Sequence, residues 1–354
     1  MRTDPSEEFD SPREFDSTEL SAEVGQAQQS AALPLDPVNG ADPAWDHLGW
    51  DGSASENRQA ISELAPEETY PAYVPEPAPA AFPRLVQRFI PNLGHVVLFF
   101  VLAFLLLAIG QLLGVFLLQQ LHIFGHKNFD TLAKLAESDA RISLPVQALS
   151  YGLIALVIIP VFALLWHEPF STGVHWSGPT AKRRFVLLAL TGLATGIGIN
   201  ILGSFLPMPK DPPIMQDMMK TPLGAWMMLI FGVTVAPMLE ELAFRGFLLP
   251  GLINTFRWLA RVGTISENAA KWFGVPVSIA ITSLGFAMMH SAQVSHAWGP
   301  LVLIGTVSVV LCIVRLRTNS VAAGVVVHAA YNFTLFAAVL AETGGFRHLE
   351  KMSV

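Results

Sequence analysis

Residues 96–118 read VVLFFVLAFLLLAIGQLLGVFLL. One side chain in this run of 23, Gln111, is polar. Such a run is too long and too uniformly apolar for a helix of a soluble core, and it is long enough to cross the ~30 Å hydrocarbon layer of a bilayer. Further runs of the same kind follow at about 146–166, 185–206, 223–250, 275–292, 299–316 and 320–341. The 223–250 run is the longest and contains Pro237, so it reads either as one kinked helix or as a span followed by a partial one. The expected fold is therefore all-α, a polytopic membrane bundle of seven to eight transmembrane helices.

Composition agrees with this expectation. The chain has 354 residues, 52% of them hydrophobic and 14% charged, with a mean hydropathy of +0.48. Charge is distributed unevenly. The first 80 residues hold 17 acids and 3 bases, and the remaining 274 hold 11 acids and 18 bases. Residues 1–85 are acidic and rich in Ser, Ala and Pro, ending in YPAYVPEPAPAAFP. They read as a disordered tail that buries too little apolar surface to offset the entropy of ordering. Residues 86–345 read as the membrane domain, with its polar motifs in 220–342, and 346–354 as a short C-terminal tail. No basic-then-apolar signal sequence opens the chain, so insertion is expected to use the internal segments. With the tail cytoplasmic, ten Lys/Arg outside the segment centres fall on the inner side, Arg315 and Arg317 among them. Seven fall on the outer side, a bias that favours a cytoplasmic N-terminus. The single cysteine, Cys312, lies in an apolar run and reads as packing.

Local signals place helix starts and contacts. Thr221-Pro222 combines a capping residue with proline at the first helical position, and Thr318-Asn319-Ser320 can cap the last span. Small residues cluster in GLATGIGINILGS (192–204) and AAGVVVHAA (322–330), where helix backbones can approach closely. Trp226, Trp272 and Trp298 suit the membrane interface.

Against this background a few polar residues stand out, because an ionisable group at bilayer depth costs roughly 2.5–3.5 kcal/mol on insertion scales and usually lines a cavity or a reaction site. Glu240, Glu241 and Arg245 lie in PMLEELAFRGFLLP (237–250), His290 ends SLGFAMMH, and His328 and Asn332 share VVVHAAYNF. Glu241 and Arg245 have the i, i+4 spacing of an intrahelical ion pair. Glu240 points about 100° away and has no local partner. His290 follows Phe286 by one turn, and His328 and Asn332 share a face. Read as packing, these are an ion pair and interhelical hydrogen bonds. Read together, a carboxylate and a histidine can activate a water, and a histidine with an asparagine can stabilise an oxyanion. That set hydrolyses an amide. Glu240, His290 and His328 could instead hold zinc with one open position. The HExxH and Gly-x-Ser-x-Gly patterns are absent. His122 and His126, also i and i+4, read as interfacial loop residues.

These residues resemble the three motifs of the CAAX protease and bacteriocin-processing (ABI) family, also called the type II CAAX prenyl endopeptidase group. The match is Glu240-Glu241-x-x-x-Arg245, then Phe286-x-x-x-His290, then His328-x-x-x-Asn332, in that order. The resemblance covers residues 220–342. It implies an intramembrane endopeptidase of about eight helices. In that role Glu240 and His290 activate the water and His328 and Asn332 hold the oxyanion, with Glu241, Arg245 and Phe286 in support. The implied substrate is a membrane protein or lipidated peptide in the bilayer, a prenylated CaaX tail in the eukaryotic branch. No nucleic acid is implied. No cofactor is expected, with a divalent metal as the alternative. Rival readings are a non-catalytic scaffold or immunity-type membrane protein and a proton relay.

Overall fold

The structure, a computed structural model, describes residues 89–208 and 218–353. The tail read in residues 1–85 lies outside the described residues. Every regular element described is helical. The long ones are α1 (Leu93–Gln120), α2 (Phe129–Ser138), α3 (Ala140–Trp166), α4 (Phe185–Gly203), α5 (Pro222–Val233), α6 (Val235–Glu241), α7 (Leu249–Arg261), α8 (Val275–Met289), α9 (Trp298–Thr318) and α10 (Val321–Glu342).

Seven stretches are long and apolar enough to cross a membrane, and α5, α6 and α7 run together as one of them, Pro222–Arg261. The chain is a multi-pass membrane protein. Its outward side chains fit that setting: Phe104, Leu156 and Leu164 are each more than 70% exposed, which lipid tolerates and water does not. The capping signals act where expected. Thr221 Oγ1 accepts from Gly224 N at 3.1 Å, and Ser320 Oγ accepts from Ala323 N at 3.2 Å.

Prolines explain the irregularities of the longest span. Proline lacks the N–H that its i−4 carbonyl needs, and its ring crowds that carbonyl. Pro237 faces Val233, and there α5 ends and α6 begins after Thr234. Pro250 faces Gly246, and the turn before it, Leu242–Leu248, widens to a π-helix. Pro276 repeats the arrangement with the π segment Ala270–Gly274. Widened turns of this kind are common at functional sites, and here one starts immediately after Glu241. The 223–250 run thus belongs to one kinked helical stretch, Pro222–Arg261, and the described residues hold seven candidate spans.

Pairing follows the apolar faces. α1 packs on α3, α4 on α10, and α8 on α9. Phe99, Phe162, Trp166 and Phe247 form an aromatic cluster joining α1, α3 and the π segment, with the Phe99 and Phe247 rings stacked 4.2 Å apart. Leu188, Leu303, Val307, Leu311 and Val327 join α4, α9 and α10. The small residues of α4 act as read: a Cβ on Gly192 would stand 2.3 Å from Val327 O, and one on Gly196 2.1 Å from Thr334 Oγ1. Val327 directly precedes His328, so this approach sets the depth of the histidine in the bundle. Gly192→Ala is expected to destabilise by ~1–3 kcal/mol, the range for overpacking, because the obstructing atom is main chain and cannot rotate away. A thermal unfolding midpoint equal to wild type, measured on purified protein, counts against the close approach.

Candidate active site

Glu240 and Glu241 end α6, His290 caps α8, and His328 and Asn332 lie mid-span on α10. The three spans bring one carboxylate and two imidazoles together. Glu240 Oε2 is 3.8 Å from His290 Nε2 and 3.7 Å from His328 Nε2. These separations are too long for direct hydrogen bonds. A water about 2.8 Å from both the carboxylate oxygen and an imidazole nitrogen fits between them. Glu240 and His290 keep 16% of their side-chain surface exposed, so the group opens outward. His328 keeps 4%.

The second carboxylate is closed off. Glu241 and Arg245 are both wholly buried, and Arg245 Nη1 donates to Glu241 Oε1 at 2.9 Å. His328 Nδ1 is 3.0 Å from the same oxygen. A carboxylate only accepts, so Nδ1 carries the proton. The same logic holds at His290, whose Nδ1 is 2.8 Å from Phe286 O. In their neutral forms both rings therefore turn unprotonated Nε2 atoms toward Glu240. Two lone pairs and a carboxylate oxygen converge, an arrangement that calls for a donor or a cation among them. Zinc would draw such ligands to ~2.0–2.1 Å, which at a tetrahedral angle puts them ~3.4 Å apart. The observed separations are wider, and among the described residues no three His, Cys, Asp or Glu reach metal-holding geometry.

Phe286 is the shared wall of the site. Its ring lies 4.7 Å from that of His290 and 5.8 Å from that of His328, and the Arg245 guanidinium sits 4.7 Å above it. Asn332 is on the His328 face of α10. Its Nδ2 donates to Gly232 O at 2.7 Å, a carbonyl at the helix break caused by Pro237. One amide hydrogen remains for another acceptor. His122 and His126 lie against each other with rings 4.4 Å apart, both exposed in the turn after α1, and His122 Nδ1 is 2.8 Å from Gln120 O.

Several supporting groups were not legible as such in the sequence. Ser308, in a span with no motif, accepts from Arg245 Nη2 through both Oγ (2.8 Å) and its carbonyl (3.1 Å). Arg315, counted above with the inner-side charges, is only 5% exposed and donates from Nε to Arg245 O at 3.1 Å. Its position inside 299–316 was the available signal, since an arginine within an apolar run is seldom a surface residue. Gly324 backs the Glu241 carboxylate: a Cβ there would come within 2.6 Å of Oε2. Gly324→Ala is expected to push Glu241 off its clamp and lower stability by ~1–3 kcal/mol. An unchanged unfolding midpoint speaks against that.

Residues 222–334 match the family model described as Type II CAAX prenyl endopeptidase Rce1-like, and this stretch contains every residue of the site. No curated protein and no solved structure matches the chain.

Proposed function

We propose that this protein is an intramembrane endopeptidase that hydrolyses a peptide bond of a membrane-associated protein or lipidated peptide. The observation that carries the reading is the convergence of Glu240, His290 and His328 at separations suited to a water and too long for mutual bonding. Interhelical hydrogen bonding alone accounts for Glu241, Arg245 and His328, which are bonded pairwise and sealed. It does not account for Glu240, whose carboxylate faces two imidazoles without bonding either. This asymmetry disfavours a non-catalytic scaffold.

In the proposed reaction Glu240 takes a proton from the water, with His290 Nε2 as the second acceptor that orients it. The water oxygen attacks the scissile carbonyl carbon, whose oxygen becomes an oxyanion. In this step His328 acts in its protonated form. The imidazolium keeps Nδ1–H on Glu241 and offers Nε2–H to the oxyanion, alongside the second amide hydrogen of Asn332. Collapse of the intermediate expels the amine, which receives the proton held by Glu240. Arg245, held by Ser308, keeps the Glu241 carboxylate in register with His328. The chemistry is proposed to run on the glutamate-activated water with no cofactor. Glu240, His290 and His328 are the residues that would hold a divalent metal instead.

The test compares protein N-termini in membranes carrying the wild-type chain with those carrying Glu240→Ala. New termini that appear only with the wild type identify both activity and substrate. Identical terminomes sink the assignment. Prolonged dialysis against a strong chelator is expected to leave cleavage intact, and loss restored by zinc would reassign the three residues as ligands.

A further inference from the structure

The membrane face at which α3 and α9 end and α4 and α10 begin carries a second polar feature, separate from the Glu240 group. Between the turn after α3 and the α9–α10 connection lies an open depression of about 380 Å³. Ser171, Thr172, His175, Trp176, Thr318 and Asn319 are among its walls, and no Asp or Glu lines it. The hydroxyls of Ser171 and Thr172 are exposed and make no hydrogen bond among the described residues.

Arg315 adjoins this depression through Asn319, one of its lining residues. It is 5% exposed and, among the described residues, pairs with no carboxylate. Its hydrogen bonds go to two neutral oxygens: Arg245 O, and Asn319 Oδ1 at 2.8 Å. A buried guanidinium with only neutral acceptors keeps an uncompensated positive charge, and the missing anion is costly to leave out. The field of that charge reaches the depression. His175 is held below the usual imidazole range, chiefly by partial desolvation and then by Arg315, with Glu168 acting in the opposite sense. Lys182 and Arg183 in the short helix Gly178–Arg183, Arg184 just after it and Arg317 in the last turn of α9 are exposed nearby in sequence. Cationic surroundings, free hydroxyl donors and an aromatic wall at the end of the spans form a setting in which the phosphate of a headgroup is hydrogen-bonded and neutralised at once.

We propose that this depression binds a phosphate-bearing anion, the headgroup of an acidic phospholipid at this face of the membrane. The phosphate is held by Ser171 and Thr172, and Arg315 supplies the countercharge behind Asn319. Nothing in this assignment depends on peptidase activity.

The test uses the purified full-length protein in detergent and measures binding of three probes: short-chain phosphatidylglycerol, short-chain phosphatidylcholine and inorganic phosphate. Wild-type protein is expected to bind phosphatidylglycerol in preference to phosphatidylcholine. Thr172→Glu places a carboxylate in the depression at an exposed position that folding tolerates, and is expected to weaken binding about tenfold or more, the scale of one charge-assisted contact. Lys134→Glu, an equally exposed charge change on α2 at the other face, is expected to leave binding unchanged. Arg315→Gln should weaken it as Thr172→Glu does. Inorganic phosphate that binds as tightly as the lipid assigns the site to free phosphate. Weak competition by phosphate assigns it to the headgroup. Equal binding of the two lipids overturns the proposal. So does wild-type affinity in Thr172→Glu, or equal loss in Lys134→Glu.

Discussion

Glu240→Ala is expected to abolish peptide cleavage, with a loss of at least ~10²–10⁴-fold, the usual contribution of a positioned general base. The size follows from the geometry. Glu240 is the one carboxylate of the site that no cation or donor engages at hydrogen-bonding distance, since its nearest partners are the two Nε2 atoms at 3.7 and 3.8 Å. Glu241 cannot replace it, because its oxygens are buried against Arg245, His328 and Gly324. Glu240→Gln is the sharper variant. It preserves size and polarity, removes the proton acceptor, and is expected to fold as wild type and lose activity as completely as alanine. His290→Ala and His328→Ala should each cost a comparable amount, and combining either with Glu240→Ala should cost little more, since residues that act on one water fail together. Cleavage by purified Glu240→Gln at the wild-type rate removes the carboxylate from the mechanism. Multiplicative losses in the double variants would separate the residues into independent roles.

Arg245→Ala should have the largest effect on stability, ~3–5 kcal/mol, the cost of stripping one partner from a buried ion pair. Removing the guanidinium leaves the Glu241 carboxylate wholly buried with only the His328 ring as donor, and leaves Ser308 Oγ and O without their donor. Lysine is not a substitute, because a single ammonium cannot reach Glu241 and both Ser308 oxygens from the directions that the planar fork allows. A double replacement, Glu241→Met with Arg245→Met, tests the cause. Exchanging both charges for apolar groups of similar volume is often neutral for stability, so the double variant is expected to unfold near the wild-type temperature. It should remain poorly active, because His328 then lacks the carboxylate that holds its Nδ1–H. If the double variant is as unstable as Arg245→Ala, the cost lies in packing volume and not in the orphaned charge.

Much of the molecule is readable without coordinates, and the reason is range. A span is a local property, set by the length of an apolar run against the thickness of the bilayer. All seven segments read from hydropathy reappear as helical spans, although the one read as 223–250 runs on to Arg261 and the one read as 275–292 already begins at Glu267. The Glu241–Arg245 pair is equally local, because one helical turn brings i and i+4 together whatever else the fold does. The prolines mark where the longest span must break or widen. The three motifs, by their order and spacing within apolar runs, were enough to suggest the family that residues 222–334 match.

Contacts between spans were another matter. No spacing in the chain says that Ser308 receives Arg245 across 63 residues, that Arg315 turns inward to the Arg245 carbonyl across 70, or that Gly324 lets the Glu241 carboxylate lie flat on α10. Nor does any spacing say that Asn332 would give one amide hydrogen to the carbonyl at the Pro237 break. These depend on how helices rotate and slide against one another in lipid. That choice is made by close packing of small residues and by satisfying each buried polar atom, not by hydropathy. Hydropathy and helical period determined which segments cross the membrane and which polar side chains they carry. Only the packing of α6, α8 and α10 decided that Glu240, His290 and His328 face one another, because the atoms that set those distances are far apart along the chain.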